Sequence, residues 1–175
     1  NKIIYAGIDP TQMPLETLDA QGKISGVSGA YLEKIGDVLG VEFVTAGSQN
    51  WTEAMHLVKN KEADLLTLAS KTIDREEYLI FTDPYVDVVH MIFGREDEEI
   101  FGNMDGLFGK KVTQVENFAV KDSIELDYPE IEIVTVHTVV EALKLVATGE
   151  ADAYVGSMPM ASYLITSEGL TNLTV

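Results

Sequence analysis

The chain has 175 residues, 46% of them hydrophobic, no cysteine, and a formal charge of 12 − 29 = −17. That length fits one ordinary domain or two small lobes, and the apolar fraction supports a packed core rather than disorder. The acid excess disfavours nucleic acid and anionic lipid as partners, because both call for a Lys/Arg surplus, and the missing cysteines exclude disulfides, thiolate metal sites and a cysteine nucleophile. No apolar run is long enough to span a bilayer. The chain starts at Asn1 without Met or a signal peptide, so it reads as a mature protein or an excised segment, with any targeting or anchoring sequence outside it.

Ile3 to Ile8 predicts a strand that ends at Asp9-Pro10. Residues 10–28 carry Pro10, Pro14, Gly22 and Gly26 among polar residues, the pattern of a loop with a short hairpin. Ser28 reads as the N-cap of a helix over 29–39, with Gly40 as its stop. Val41 to Ala46 follows as a strand, Thr52 as the cap of a helix over 53–61, and Leu65 to Ala69 as a strand buried on both faces. Leu79-Ile80-Phe81 and Val86 to Phe93 are strand-like around Asp83-Pro84. The acidic run Glu96-Asp97-Glu98-Glu99 reads as a solvated connection and sets the expected lobes at 1–94 and 95–175. Beyond it the alternation resumes: strands at 112–115, 131–136, 151–155 and 170–175, helices at 118–127, 138–148 and 159–167. Alternating strands and helices predict an α/β fold with mostly parallel sheets.

The two halves also repeat one another. Residues 53–64 match residues 141–152 at seven of twelve positions: Glu, Ala, Leu, Val, Glu, Ala and Asp. Two copies are too few for a solenoid. They imply a pair of similar lobes with a cleft and a ligand between them. Ligands of open parallel sheets bind beyond the carboxyl ends of the strands, so the equivalent ends Ala69-Ser70 and Gly156-Ser157 are candidate contacts, or else simple caps of the segments that follow. Arg75 is one of two arginines. Its planar fork suits a carboxylate, unless it pairs on the surface with Asp74, Glu76 or Glu77. Trp51, the single tryptophan, offers a flat face for a ligand or for ordinary packing. His56, His90 and His137 are isolated, Asp83, Asp87 and His90 do not form one metal site, and hydrolase, zinc-protease, P-loop and dinucleotide motifs are missing. Neither catalysis, a cofactor nor a metal is expected.

Several ordered motifs resemble those of the bacterial solute-binding proteins of family 3. They are Gly7-Ile8-Asp9-Pro10 with Met13-Pro14-Leu15-Glu16, Asn50-Trp51-Thr52-Glu53, Ser70-Lys71-Thr72-Ile73-Asp74-Arg75, and Phe81-Thr82-Asp83-Pro84-Tyr85. The resemblance implies a periplasmic Venus-flytrap fold of two α/β lobes that close on an amino acid or related compound. It places Arg75 on the ligand carboxylate, Ser70 and Thr67 beside it with Leu68 and Ala69 between, and Trp51 as a stacking aromatic. Gln12 falls where the family often has another aromatic, Asn117-Phe118-Ala119 where the second lobe often has Gly-Thr-Thr, and Ser157 where many amino-acid binders have the Asp for the ligand amine. The carboxylate anchor is thus kept and the amine partner lost, unless Glu116 or Asp9 replaces it.

Asn117-Phe118-Ala119-Val120, Asp127-Tyr128-Pro129 and Ala161-Ser162-Tyr163-Leu164-Ile165 further resemble the sensor domains of BvgS-like histidine kinases and of diguanylate cyclases. A periplasmic sensing module tethered to a membrane receptor is the implied function. A soluble component of an ABC transporter is the alternative, and a flytrap-derived dehydratase or transglycosylase-associated domain a remoter one. Family chains normally return to the first lobe after the second. Here that return would only begin near Val175, so the chain is expected to be a shortened form or to have a first lobe with an exposed apolar face. Such a face favours a dimer or aggregation.

Overall fold

The computed structural model describes residues 2–98 and 101–175. The chain divides into two compact units, 1–85 and 86–175. The first contains strands β1 (Lys2–Gly7), β2 (Thr17–Leu18), β3 (Ile24–Ser25), β4 (Val41–Thr45) and β5 (Leu65–Leu66), with helices α1 (Gly26–Leu39), α2 (Trp51–Lys59) and α3 (Ile73–Glu76). The second contains β6 (His90–Arg95), a 3-10 turn at Met104–Leu107, β7 (Lys111–Val115), α4 (Ala119–Asp127), β8 (Glu132–Val136), α5 (Val139–Thr148), β9 (Ala153–Ser157), α6 (Met158–Ser167) and β10 (Leu173–Thr174).

In the first unit the sheet order is β4-β1-β5, all parallel, and β2 and β3 form the expected small hairpin. Ala6, Ile8 and Ile24 are its buried centre, with Leu18, Leu32 and Leu65 packed against them. The second unit repeats the arrangement as β8-β7-β9, also parallel, and extends it by β6 and β10, each antiparallel to its neighbour. Leu107, Val112, Ile124, Ile131, Ala153 and Val155 fill one face of that sheet. α5 packs against β6, β7 and β9.

The twelve-residue repeat has a physical basis. In the first copy the Asn50 side chain accepts from Glu53 N at 2.9 Å, and the Glu53 carboxylate reaches back to Gln49 N at 2.8 Å. In the second, Thr138 Oγ1 accepts from Glu141 N at 3.2 Å and Glu141 reaches back to His137 N at 3.0 Å. Each repeated Glu therefore completes a reciprocal cap for a helix start. The repeated alanines Ala54 and Ala142 are fully buried. The repeated aspartates then tie each helix's exit to the neighbouring strand. Asp64 Oδ2 accepts from Tyr5 N at 2.8 Å, and Asp152 Oδ2 from Lys111 N at 2.7 Å. The backbone answers in the other direction, Asp64 N to Tyr5 O and Asp152 N to Lys111 O.

Several expectations are corrected. The units divide at Tyr85/Val86 rather than after residue 94, because β6 pairs with β9 of the second unit. Glu96, Asp97 and Glu98 of the acidic run thus lie inside the second unit; Glu99 lies outside the described residues. The strand expected at 65–69 stops at Leu66, since Thr67 turns its hydroxyl to Glu16 and its carbonyl to the Tyr85 hydroxyl. The strand expected at 86–93 begins only at His90, opposite Ser157, where β9 ends. Residues 79–81 form no strand. Two helices start earlier than expected. Asn50 rather than Thr52 caps α2, and Ser25 rather than Ser28 precedes α1. Gly40 and Gly149 do end α1 and α5, each in the left-handed conformation (φ 66° and 79°) that glycine adopts at little cost. Exposed apolar side chains are present in the first unit: Ile3, Tyr5, Ile35, Val38 and Leu39.

Candidate functional site

The first unit gathers its candidate residues beyond the carboxyl ends of β1 and β5. Capping by Asn50 makes Trp51 the first residue of α2, where it is buried. Thr72 caps the short α3, accepting from Arg75 N at 3.3 Å. Arg75 is 5% exposed, not a surface residue as its acidic neighbours allowed; among those, Glu76 pairs with Lys71 at 2.7 Å. The Arg75 guanidinium carbon lies 5.0 Å from the centre of the Trp51 ring, within cation–π range. Its Nη1 donates to the Ser70 carbonyl at 2.7 Å. Thr72 rather than Ser70 is the cap, so Ser70 contributes its backbone here, and its side chain is exposed. Leu68 and Ala69 are half-buried on the connecting segment.

A buried polar chain runs through the same unit. Gln12 Nε2 donates to Asp9 Oδ2 at 3.1 Å, and Asp9 Oδ1 accepts from Thr11 N and Oγ1 at 3.0 and 2.7 Å. Asp9 N donates to Glu16 Oε1 at 2.8 Å, and the Thr67 hydroxyl donates to Glu16 Oε2. The Tyr85 hydroxyl closes the chain on the Thr67 carbonyl at 2.6 Å. Glu16 is 1% exposed. Burial pushes its carboxyl up to about 8, with the nearby Asp9 carboxylate adding to the effect against the pull of the Asp9 N–H. Burial likewise pushes the Tyr85 phenol up to about 12.

The second unit presents its residues at the equivalent strand ends. Ser157 closes β9, is buried, and accepts from Met160 N at 3.4 Å as the cap of α6. Side chains alternate along a strand and directly paired residues share a face. His90, opposite Ser157, therefore lies on its face of the sheet, the face of Val155 and Ile92. His90 is exposed as a residue, yet the desolvation its ring meets lowers its pKa below the ordinary histidine value. Gln114, 1% exposed, donates to the Val155 carbonyl at 2.8 Å. Asn117 follows β7 with φ 62°, exposed, then Phe118 and Ala119 open α4, both half-buried.

Neither proposed substitute for the amine partner stands apart from other contacts. Both Asp9 oxygens are engaged within their own loop, and Glu116 lies 3.5 Å from His137 Nδ1. The second arginine, Arg95, is tied to the fold: its Nη1 donates to the carbonyls of Val146 and Ala151 at 2.7 and 2.8 Å. Among the described residues there is no His/Cys/Asp/Glu group able to hold a metal, and no helix long and apolar enough to cross a membrane. Glu16, Tyr85 and Gln114 have no role that follows from the sequence alone. Glu16 and Tyr85 do fall within the quoted motifs Met13-Pro14-Leu15-Glu16 and Phe81-Thr82-Asp83-Pro84-Tyr85, which was the only signal available for them.

The fold is that of the periplasmic-binding-protein-like Venus-flytrap domains. Residues 4–126 match the bacterial extracellular solute-binding proteins, family 3, and the chain belongs to that family. It is 30% identical over 152 residues to the virulence sensor protein BvgS of Bordetella bronchiseptica, a match that covers 87% of this chain but 12% of that protein's length. Among solved structures it is similar to a histidine kinase sensor domain with similarity to periplasmic binding proteins (28% identity, TM-score 0.90, 99% of this chain and 76% of that one). The periplasmic VFT2 domain of Bordetella pertussis BvgS is similar too (26% identity, TM-score 0.86, 99% and 74%). The family and these relatives are binding and sensor domains rather than enzymes.

Proposed function

We propose that this chain is an extracytoplasmic ligand-binding module of a membrane signalling receptor, and that its ligand is a small molecule bearing a carboxylate. The observation that carries this reading is Arg75: a buried guanidinium, braced by the Ser70 carbonyl and the Trp51 ring, beyond the carboxyl end of a parallel sheet. Burying a cation is costly unless it is paired and hydrogen-bonded, and an oriented guanidinium matches a carboxylate in a two-bond fork. Membership of a solute-binding family and similarity to sensor domains support the rest. In the second unit a serine and a histidine stand paired at the strand ends. Neither supplies a negative charge for an ammonium group, which favours an organic acid over an α-amino acid. Gln12, Trp51, Thr67, Leu68, Ala69, Ser70, Arg75, Asn117, Phe118, Ala119 and Ser157 are the proposed ligand set.

A ligand that contacts both lobes only in the closed state shifts the population toward it by its differential affinity. Tethered to a receptor, that shift is the signal. Thermal-shift and calorimetric screening against amino acids, dicarboxylates and other small organic acids tests the reading. Binding of acids that lack an amine supports it. Binding restricted to α-amino acids overturns the choice of ligand class, and carboxylate affinity unchanged in Arg75→Ala removes Arg75 from the site.

A further inference from the structure

Glu16 and Asp9 are the buried acids among the described residues. They sit side by side, Asp9 N–H on Glu16 Oε1. The titratable groups facing Glu16 are Asp9, from the loop after β1, and Tyr85, at the end of the first unit; Tyr85 in turn packs at a tilt against Tyr31 of α1, ring centroids 4.6 Å apart. Ser28 of α1 faces it too. All of these neighbours are acidic or neutral, so none of them is a counter-ion for a charge on Glu16, and the neutral form suits them better. In either protonation state the side chain can accept from Asp9 N at one oxygen and from the Thr67 hydroxyl at the other. What ionisation adds is a second negative charge beside the Asp9 carboxylate in a buried site, where it is poorly screened.

Thr67 makes this matter for the ligand half-site. Its hydroxyl meets Glu16 and its carbonyl meets Tyr85. Three residues later the same segment presents the Ser70 carbonyl that braces Arg75 against Trp51. We propose that Glu16 is a positioning residue whose neutral form keeps the Trp51–Arg75 half-site in place through Thr67, so that a charge on Glu16, repelled by the adjacent buried Asp9, displaces the half-site. This deepens the functional reading above and rests on it for its meaning, but the displacement itself is measurable without any ligand.

Trp51 is the only tryptophan of the chain, so its emission reports on the half-site alone. The 175-residue chain is titrated from about pH 6 to about pH 9, following Trp51 emission and, on carboxyl-labelled protein, the Glu16 carbon resonance. The expected result is one transition in both signals with a midpoint of about 8. Glu16→Gln, neutral and of the same shape, should keep the wild-type circular dichroism and abolish the emission change. Thr67→Val should leave the Glu16 resonance titrating while Trp51 no longer follows. A flat Trp51 signal in the wild-type chain while Glu16 titrates overturns the proposal, as does an emission change that survives in Glu16→Gln. Failure of every carboxylate in the binding screen would instead count against the proposed ligand and leave this titration to be decided by its own result.

Discussion

The Arg75 guanidinium lies 5.0 Å from the centre of the Trp51 ring, with its Nη1 on the Ser70 carbonyl. The two residues are 24 positions apart in sequence and meet because Asn50 starts α2 at Trp51 and Thr72, three residues before Arg75, caps α3. A side-chain cap on each helix thus aims one member of the pair.

Arg75 is the first target. Hydrogen bonds to charged groups contribute about 1.5–3 kcal/mol each, so Arg75→Ala should weaken carboxylate binding by at least roughly tenfold. Arg75→Lys should recover little of it, since an ammonium cannot form the fork. Calorimetry on the three proteins with one carboxylate from the screen checks this; a lysine variant that binds like wild type would contradict the two-bond geometry.

The repeated aspartates offer a matched pair of tests. Asp64 and Asp152 each accept a strand N–H and each receive the chain back from a repeated helix. Asp64 is exposed and Asp152 half-buried, which screens their charge. Asp64→Ala and Asp152→Ala should each lower stability by about 1 kcal/mol in urea unfolding. A pair of changes with no effect would mean that the backbone bonds beside them suffice.

Much of the scaffold was legible in the sequence, because its signals are local. Glu53 and Glu141 mark helix starts by their distance from a capping residue, and Gly40 and Gly149 mark helix ends. What was not legible depended on distant partners. Nothing near Leu68-Ala69 says that Glu16 and Tyr85 draw Thr67 out of the sheet, ending β5 at Leu66. The solvated look of residues 96–98 concealed the fact that β6 is held by β9, which moves the division of the units to Tyr85/Val86. The Trp51–Arg75 pair was visible as two candidates but not as a contact. The burial of Glu16 was invisible, since an acid in a polar loop gives no sign of its surroundings.

Gly156 is a packing requirement of the second unit. A Cβ built there would lie 2.1 Å from Tyr154 Oη and 2.3 Å from its Cζ, and Tyr154 is 1% exposed. The ring lies over the glycine and has no room to withdraw. Gly156→Ala should cost about 1–3 kcal/mol, the range for overpacking a filled core. Tyr154→Phe should not rescue it, because the ring carbon alone is too close. Urea unfolding of the single and double variants decides the matter, and a full rescue would place the clash on the hydroxyl.

Glu16 should also leave a signature in stability against pH. Its carboxyl titrates at about 8 in the folded chain against an ordinary value of 4.5. Between those values the folded state holds a proton that the unfolded state has lost. Unfolding free energy therefore falls as pH rises across this window. Below 4.5 both states are protonated and the contribution of Glu16 is fully present; above about 8 it has been lost. Other groups titrate too, so the informative quantity is the difference between wild type and Glu16→Gln. Glutamine keeps the neutral shape at every pH, and its stability relative to wild type should climb steadily from about pH 5 to about pH 8. Urea unfolding followed by circular dichroism across that range gives the difference curve. Parallel curves for the two proteins would mean that Glu16 titrates in the native chain much as it does in the unfolded one.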